Sequence, residues 1–324
     1  MNNIIEGPKI GLKGTILSWE VVNQDGSIAQ SCYVPSDNMI LNSGLNMIGS
    51  SVYYTSYGLI SFLDVFAIGK GTALPVETDT LLGTESYRGT CAYATWDSDT
   101  ASIAGSDPYY VSRQRGVQTP LGSLNGTYTE IGFSNNATLT APLFCKFRLV
   151  DEDGAPTSIE ISSIQQLRLK YVLTVELLPV DETSYSTTIT GIGTFNYSAC
   201  WQYVANFKLA LGVFPGNHSP FITIRETAYT FSPIGSAVTF ATGNYTRNSY
   251  TTETYVPNSY SVYKNITFSV TDAVWENKAL GLYVDSAETS GYSWIAKFDS
   301  GNYIDKPNTH VLTFRLKFSW ARAT

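Results

Sequence analysis

The 324-residue chain is predicted to be all-β. Strand-like runs bounded by Asp-Gly, Gly or Pro recur along its whole length. Tyr (22 residues), Phe and Thr, which suit a pleated and half-buried surface, are plentiful. Helical spacing of apolar residues stands out in only one short segment.

The elements follow in order. "GTILSWEVVNQDGSIAQSCYV" reads as a hairpin with Asp25-Gly26 at its turn. In "SDNMILNSGLNMIGSS", Ser36 can cap a helix whose Leu41, Leu45 and Ile48 share a face, with Gly44 and Gly49 keeping it short. A short helix is therefore expected near residues 37–49. "LISFLDVFAIG" is an almost unbroken apolar run, as a strand covered on both faces requires. Residues 89–126, rich in Ser, Thr, Asp, Tyr and Gly, read as a long excursion with one or two short strands. "LFCKFRLVDEDGAPTSIEI" predicts a second hairpin turning at Asp153-Gly154, and "QQLRLKYVLTVELL" a long alternating strand.

The second half echoes the first. "FLDVFAIGKGTALP" from Phe62 aligns with "FKLALGVFPGNHSP" from Phe207, and "LRLKY" from Leu167 with "FRLKF" from Phe314. The period of about 145 residues is too long for a solenoid or propeller blade. It favours an internal duplication: two tandem β-sandwich-like domains, 1–178 and 179–324.

Composition narrows the function. Charged residues make up 15% of the chain, against roughly 25% in a typical globular protein. Ser, Thr, Asn, Gly and Tyr must therefore cover much of the surface, which suits contact with proteins or sugars. The net charge of −7 and the lack of a basic run argue against nucleic acid as a partner. No run reaches about 18 apolar residues, so no membrane span is expected. "MNNIIEGPKIGLKG" lacks the charged-then-apolar pattern of an export signal. Without one, the Asn-x-Ser/Thr triplets at Asn125, Asn136, Asn196, Asn217, Asn244 and Asn265 are read as a by-product of composition. Cys32, Cys91, Cys145 and Cys200 lie too far apart for a metal motif and are expected to be buried thiols.

One segment invites an enzymatic reading. "FAIGKGTALP" places Lys70 between two glycines, in the manner of a phosphate-binding loop. A Walker-type loop needs Gly where Asp64 stands and Ser or Thr where Gly71 stands, followed by a helix that Pro75 discourages. The expectation is a turn whose glycines supply positive φ. His218 and His310 stand alone, and no nucleophile elbow, HExxH or CxxC occurs. "DEDG" (151–154) opens like a calcium loop but lacks the later Glu. No cofactor, metal or catalytic residue is expected.

The candidate contact residues are tyrosines. Tyr245, Tyr250, Tyr255 and Tyr260 recur every five residues, and Tyr109 and Tyr110 lie in the 89–126 excursion. Five is odd, so on one extended strand successive rings alternate faces. They are read either as half-buried strand and turn residues or as a contact surface for a subunit or glycan. The stretches 89–126 and 236–264 are the candidate contact segments.

Over residues 10–178 the order of motifs resembles virion structural proteins of tailed bacteriophages, of the tail or tail-fibre type. The hairpin "ILSWEVVNQDGSIAQ", the helix segment "MILNSGLNMIGSS", "VFAIGKGTALPVETDTLLGTESYR" and "GFSNNATLTAPLFCKFRLVDEDGAPTSIEISSIQQLRLKYVLTVEL" carry the resemblance. It implies a non-enzymatic virion component that associates with itself, as a ring or trimer, and with other virion proteins. The alternative is a carbohydrate-binding adhesin for host-surface glycans. A depolymerase-type glycosidase would need two carboxylates facing a cleft, for which no motif is seen.

Overall fold

The computed structural model describes residues 4–50, 62–90, 94–101, 109–177, 185–189, 193–203, 220–225, 244–247, 250–269, 275–279, 281–286, 292–298, 304–306, 309 and 311–323. The fold is all-β, with one short α-helix among the described residues. No helix among them is long and apolar enough to cross a membrane. The chain divides into two compact units. Unit 2 comprises Gly11–Thr100, Val111–Glu176 and Ala321–Thr324; unit 1 comprises Met1–Ile10, Ala101–Tyr110 and Leu177–Trp320.

In unit 2, β1 (Ile4–Asn23) joins antiparallel β2 (Ile28–Cys32) through the expected turn. Gly26 adopts φ +88°, and the Asp25 carboxylate accepts from the Ser27 amide at 2.9 Å. β3 (Ser36–Ile40) pairs with β1 and leads into α1 (Asn42–Ser50). The helix thus exists but starts later than Ser36. The backbone of 36–40 is claimed by β1 on one side, with Gly14 opposite Asn38, and on the other by β10 (Cys145–Arg148), with Cys145 opposite Ile40. Leu45 and Ile48 are buried, as their spacing requires.

β4 (Val65–Gly69) is buried throughout, as its apolar run predicts. It lies between β5 (Glu85–Gly89) and β9 (Glu130–Ser134), giving the antiparallel order β1-β3-β10-β9-β4-β5. β6 (Ser98–Ala101) pairs with β7 (Tyr109–Gln118), and β7 with β12 (Gln165–Leu177), whose residues alternate between buried and half-buried. The ten-residue β7 corrects the reading of 89–126 as mainly loop. Its polar side chains find partners elsewhere: Ser112 Oγ lies 2.8 Å from Thr174 Oγ1, and Arg115 pairs with Asp64 and Asp97.

The second hairpin is also shorter than expected. The Asp151–Gly154 turn forms, with Gly154 at φ +78° and the Asp151 carboxylate accepting from the Asp153 and Ala155 amides. A bridge pairs Val150 with Pro156, and the Thr157 amide donates to Leu149 O. Pro156 has no N–H to extend the ladder. The chain leaves, and β11 (Ile159–Ile161) pairs instead with β8 (Gly126–Tyr128).

Side chains alternate across the sheet. One face carries Phe66, Phe133 and Cys145 toward Tyr171 of β12, with the Phe133 ring 4.5 Å from Tyr171. Cys32 and Cys145 are buried free thiols, and burial pushes Cys145 up to about 12, which makes it inert. Cys91, and the side chain of Cys200, lie outside the described residues. The opposite face carries Ala67 and Met39, covered by Leu41, Leu82 and Leu143. The segment between β4 and β5 thereby reaches the β3–β10 end of that face.

Unit 1 contains β13 (Tyr185–Ile189), β14 (Gly193–Tyr203), β15 (Pro220–Arg225), β16 (Asn244–Arg247), β17 (Tyr250–Thr252) and β18 (Ser261–Phe268). After them come β19 (Trp275–Ala279), β20 (Gly281–Ser286), β21 (Tyr292–Phe298), β22 (Ile304–Lys306) and β23 (Leu312–Arg322), the last two residues of which belong to unit 2. One antiparallel sheet runs β13-β14-β21-β20-β15-β16. β17, β18 and β23 are consecutive neighbours, and β19 pairs with β22. Leu312, Phe314, Leu316, Phe318 and Trp320 form the buried stripe of β23. The matched "LRLKY" and "FRLKF" lie on β12 and β23; the proposed counterpart of 62–75, at 207–220, lies outside the described residues except for Pro220 at the start of β15, and His218 and His310 lie outside them too.

Candidate functional site

The Gly-Lys-Gly segment leaves β4 and crosses the sheet without forming a helix. The connection it opens does bind an anion through backbone amides, those of Gly71, Gly83 and Thr84, but the anion belongs to this chain. The Glu130 carboxylate, at the start of β9, accepts from the amides of Gly71 at 2.7 Å, Gly83 at 3.0 Å and Thr84 at 3.1 Å. Lys146 Nζ lies 3.4 Å from the same carboxylate and 3.0 Å from Asp79 on the segment. Glu130 and Lys146 are 1% and 3% exposed, so the charges are satisfied internally.

The glycines are needed for a different reason than expected. Neither Gly69 nor Gly71 has positive φ. A methyl group at Gly71 would sit 2.4 Å from Glu130 Oε1, and one at Gly69 would sit 2.6 Å from Thr84 O. Close approach of a carboxylate, not a left-handed backbone, excludes a side chain here. Gly71→Ala should therefore cost about 2–4 kcal/mol, combining overpacking with a weakened charge-assisted bond. Urea unfolding measures this, and a midpoint equal to wild type would contradict the close approach.

The segment's middle is held just as firmly. The Asn42 amide donates to Glu77 O at 2.8 Å, Leu143 N to Thr80 O at 2.9 Å, and Asp79 N to Val76 O at 3.0 Å. Leu74 and Val76 nevertheless face solvent, at 66% and 52% exposure. Leu74 lines an open groove of about 680 Å³ together with Pro75, Met39, Phe147 and Val150, with Lys13, Asp37, Glu77 and Arg322 among its charged residues. Lys13 pairs with Asp37 at 3.2 Å, and Arg322 with Glu77 at 3.0 Å. Arg322 also donates to Ile40 O and Asn42 Oδ1, each at 2.6 Å. Lys70 places its ammonium 5.7 Å from the Tyr128 ring centre.

The candidate tyrosines do not form one cluster. Tyr109 is buried and Tyr110 is exposed at the start of β7, so Tyr109 supplies no free contact area. Tyr245 is opposite Ile224, on β16; its side chain lies outside the described residues. Tyr250 is half-buried, its ring centre 4.4 Å from Lys264 Nζ. Tyr255 stacks on Trp320 at 5.8 Å, while Tyr260, at φ +47°, accepts the Trp320 amide on its carbonyl. The stretch 236–264 contains β16, β17 and the start of β18, leaving 253–260 as its described turn region.

Glu130 and Lys146 escaped the sequence reading although a signal was present. Each is a lone charge in an apolar stretch, Glu130 at the head of "EIGF" and Lys146 inside "LFCKF". Two such charges of opposite sign on adjacent strands are best satisfied by each other.

The chain matches no family model, no curated protein and no solved structure.

Proposed function

We propose that this chain is a non-enzymatic structural component of a tailed-phage virion, tail-associated, that works by associating with copies of itself and with other virion proteins. The ordered motifs across 10–178 support the virion assignment. The observation that carries the structural role is the use made of the Gly-Lys-Gly segment. Its Gly71 amide, with the Gly83 and Thr84 amides of the same connection, is occupied by Glu130, and the connection leaves Leu74 and Val76 exposed to solvent. An exposed apolar tip on a fixed backbone suits docking, because little order remains to be imposed on binding.

The test is immunogold electron microscopy of purified particles that carry an epitope-tagged copy of this chain. Label at a fixed position on intact particles is expected. Tagged protein abundant in the lysate but absent from purified particles would reject the assignment.

A further inference from the structure

We propose that Lys146 and Asp79 are a self-modification site: the lysine amine and the aspartate carboxyl condense to a side-chain amide, with Glu130 moving the protons. The bond staples β10 to the connection between β4 and β5 and needs no cofactor or co-reactant.

The first argument is the placing of the amine. Lys146 Nζ lies 3.0 Å from Asp79 Oδ2 and 3.4 Å from Glu130 Oε2. Its side chain is 4% exposed, whereas Lys13 and Lys317, paired with Asp37 and Glu6, are 45% and 28% exposed. Water, which reverses amide formation, is thus kept from this lysine. Asp79 is 26% exposed, so the water released has a way out.

The second argument is how firmly the carboxyl is held. The Asp79 amide donates to Val76 O at 3.0 Å, and the Val76 amide donates back to Asp79 Oδ2 at 3.2 Å. Thr80 O, the next residue's carbonyl, accepts from the Leu143 amide at 2.9 Å. Lys146 itself is fixed on β10, paired with Met39 of β3 and Gly132 of β9. Reacting groups held in this way reach effective concentrations of roughly 10⁵–10⁸ M, the factor that lets condensation compete with hydrolysis.

The third argument is the surplus carboxylate. One ammonium faces two carboxylates, and Glu130 is already satisfied by three backbone amides. It keeps those donors when the lysine charge is gone. Condensation therefore discharges a buried ammonium, whose burial is costly, without stranding its second partner.

The step balances within the cluster. The ammonium passes one proton to Asp79 Oδ2, leaving a neutral amine and a carboxylic acid. The nitrogen lone pair attacks Asp79 Cγ, and Glu130 takes a second proton from the nitrogen. Glu130 returns that proton to Oδ2 as the Cγ–Oδ2 bond breaks, a departure that the Val76 amide assists. One ammonium and one carboxylate become one amide and one water, and Glu130 ends as it began. Amines and carboxyls stay ionised together at neutral pH, so the reactive pair is a minor form of the ion pair. The bond accordingly forms slowly after folding, with the ion-paired chain as its precursor.

Intact-mass spectrometry of the full chain, folded and incubated at neutral pH, tests the proposal. Wild type is expected to become lighter by one water, and to stay so after unfolding in urea. Its tryptic digest should join the peptides of Asp79 and Lys146, with no cleavage after Lys146. Asp79→Ala, which truncates a half-exposed side chain and leaves Lys146 its Glu130 partner, should fold and keep its full mass. Glu130→Gln, unable to take the proton, should convert on the order of 100-fold more slowly. A folded wild type that keeps its full mass overturns the proposal. So does a mass deficit that persists in Asp79→Ala, which would place the lost water elsewhere, as in a cyclic imide at Asp25-Gly26 or Asp153-Gly154.

Discussion

A Glu130→Ala chain is expected to lose about 3–5 kcal/mol of stability, the usual cost of removing one member of a buried charge network. Three amides, of Gly71, Gly83 and Thr84, lose their acceptor together. Lys146 would remain buried and, among the described residues, would keep the Asp79 carboxylate at 3.0 Å as its ion-pair partner. Glu130→Gln should cost less, about 2 kcal/mol. One oxygen can still serve Gly71 and Thr84, but the new NH2 group faces the Gly83 amide and the Lys146 ammonium. Urea unfolding gives the ordering, and hydrogen exchange gives the mechanism: the three amides should lose protection in Glu130→Ala. Unchanged exchange at Gly71, Gly83 and Thr84 would show that the carboxylate does not hold the segment.

In unit 1 the largest effect is expected in the opposite direction, as a gain. Lys264 occupies a core position of β18, on the stripe Val262, Lys264, Ile266, Phe268, and is 2% exposed. It sits opposite Leu316 in the ladder, with its ammonium 4.4 Å from the Tyr250 ring centre and 5.5 Å from that of Phe318. Burial draws it down from 10.5 to about 7. The unfolded chain holds this proton up to about pH 10.5, whereas the folded chain releases it near pH 7. Between those values the unfolded state binds more protons, so stability rises with pH. Below pH 7 both states are charged, and the full cost of burying the ammonium is present. That cost is about 5 kcal/mol from the displacement alone, less roughly 2 kcal/mol returned by the aromatic faces. Lys264→Met should therefore stabilise the protein by about 3–5 kcal/mol at pH 6, and the gap should narrow to about 1 kcal/mol at pH 10. Unfolding both chains across this range is decisive. Parallel pH profiles would mean that the amine reaches water.

The sequence was most legible where one residue pattern determines one local geometry. The alternation of 165–177 could only be a half-buried strand, and the apolar run 65–69 a covered one. Asp-Gly at 25–26 and 153–154 marked turns that form through side-chain acceptors within four residues. It failed where distant partners decide. Ser36–Ile40 carries the Ser, Asp and Asn of a helix start, yet β1 and β10 take its backbone into the sheet. β7 lacks apolar alternation because Ser112 and Arg115 are satisfied by Thr174, Asp64 and Asp97. The clamp was hidden for the same reason, since Gly71 and Glu130 lie 59 residues apart.

The division into units has a consequence for synthesis. Chain tracing passes between the two units at residues 10/11, 100/101, 110/111, 176/177 and 320/321. Unit 2 takes its closing contacts from the far end of the chain, where Arg322 bonds to Ile40 and Asn42 and the Ala323 amide donates to Leu12 O. A ribosome that has translated only the first 176 residues has therefore made nearly all of this unit without the parts that finish it. Completion must wait until residue 323 has emerged from the exit tunnel, so the early-made strands spend most of elongation unsealed at that edge.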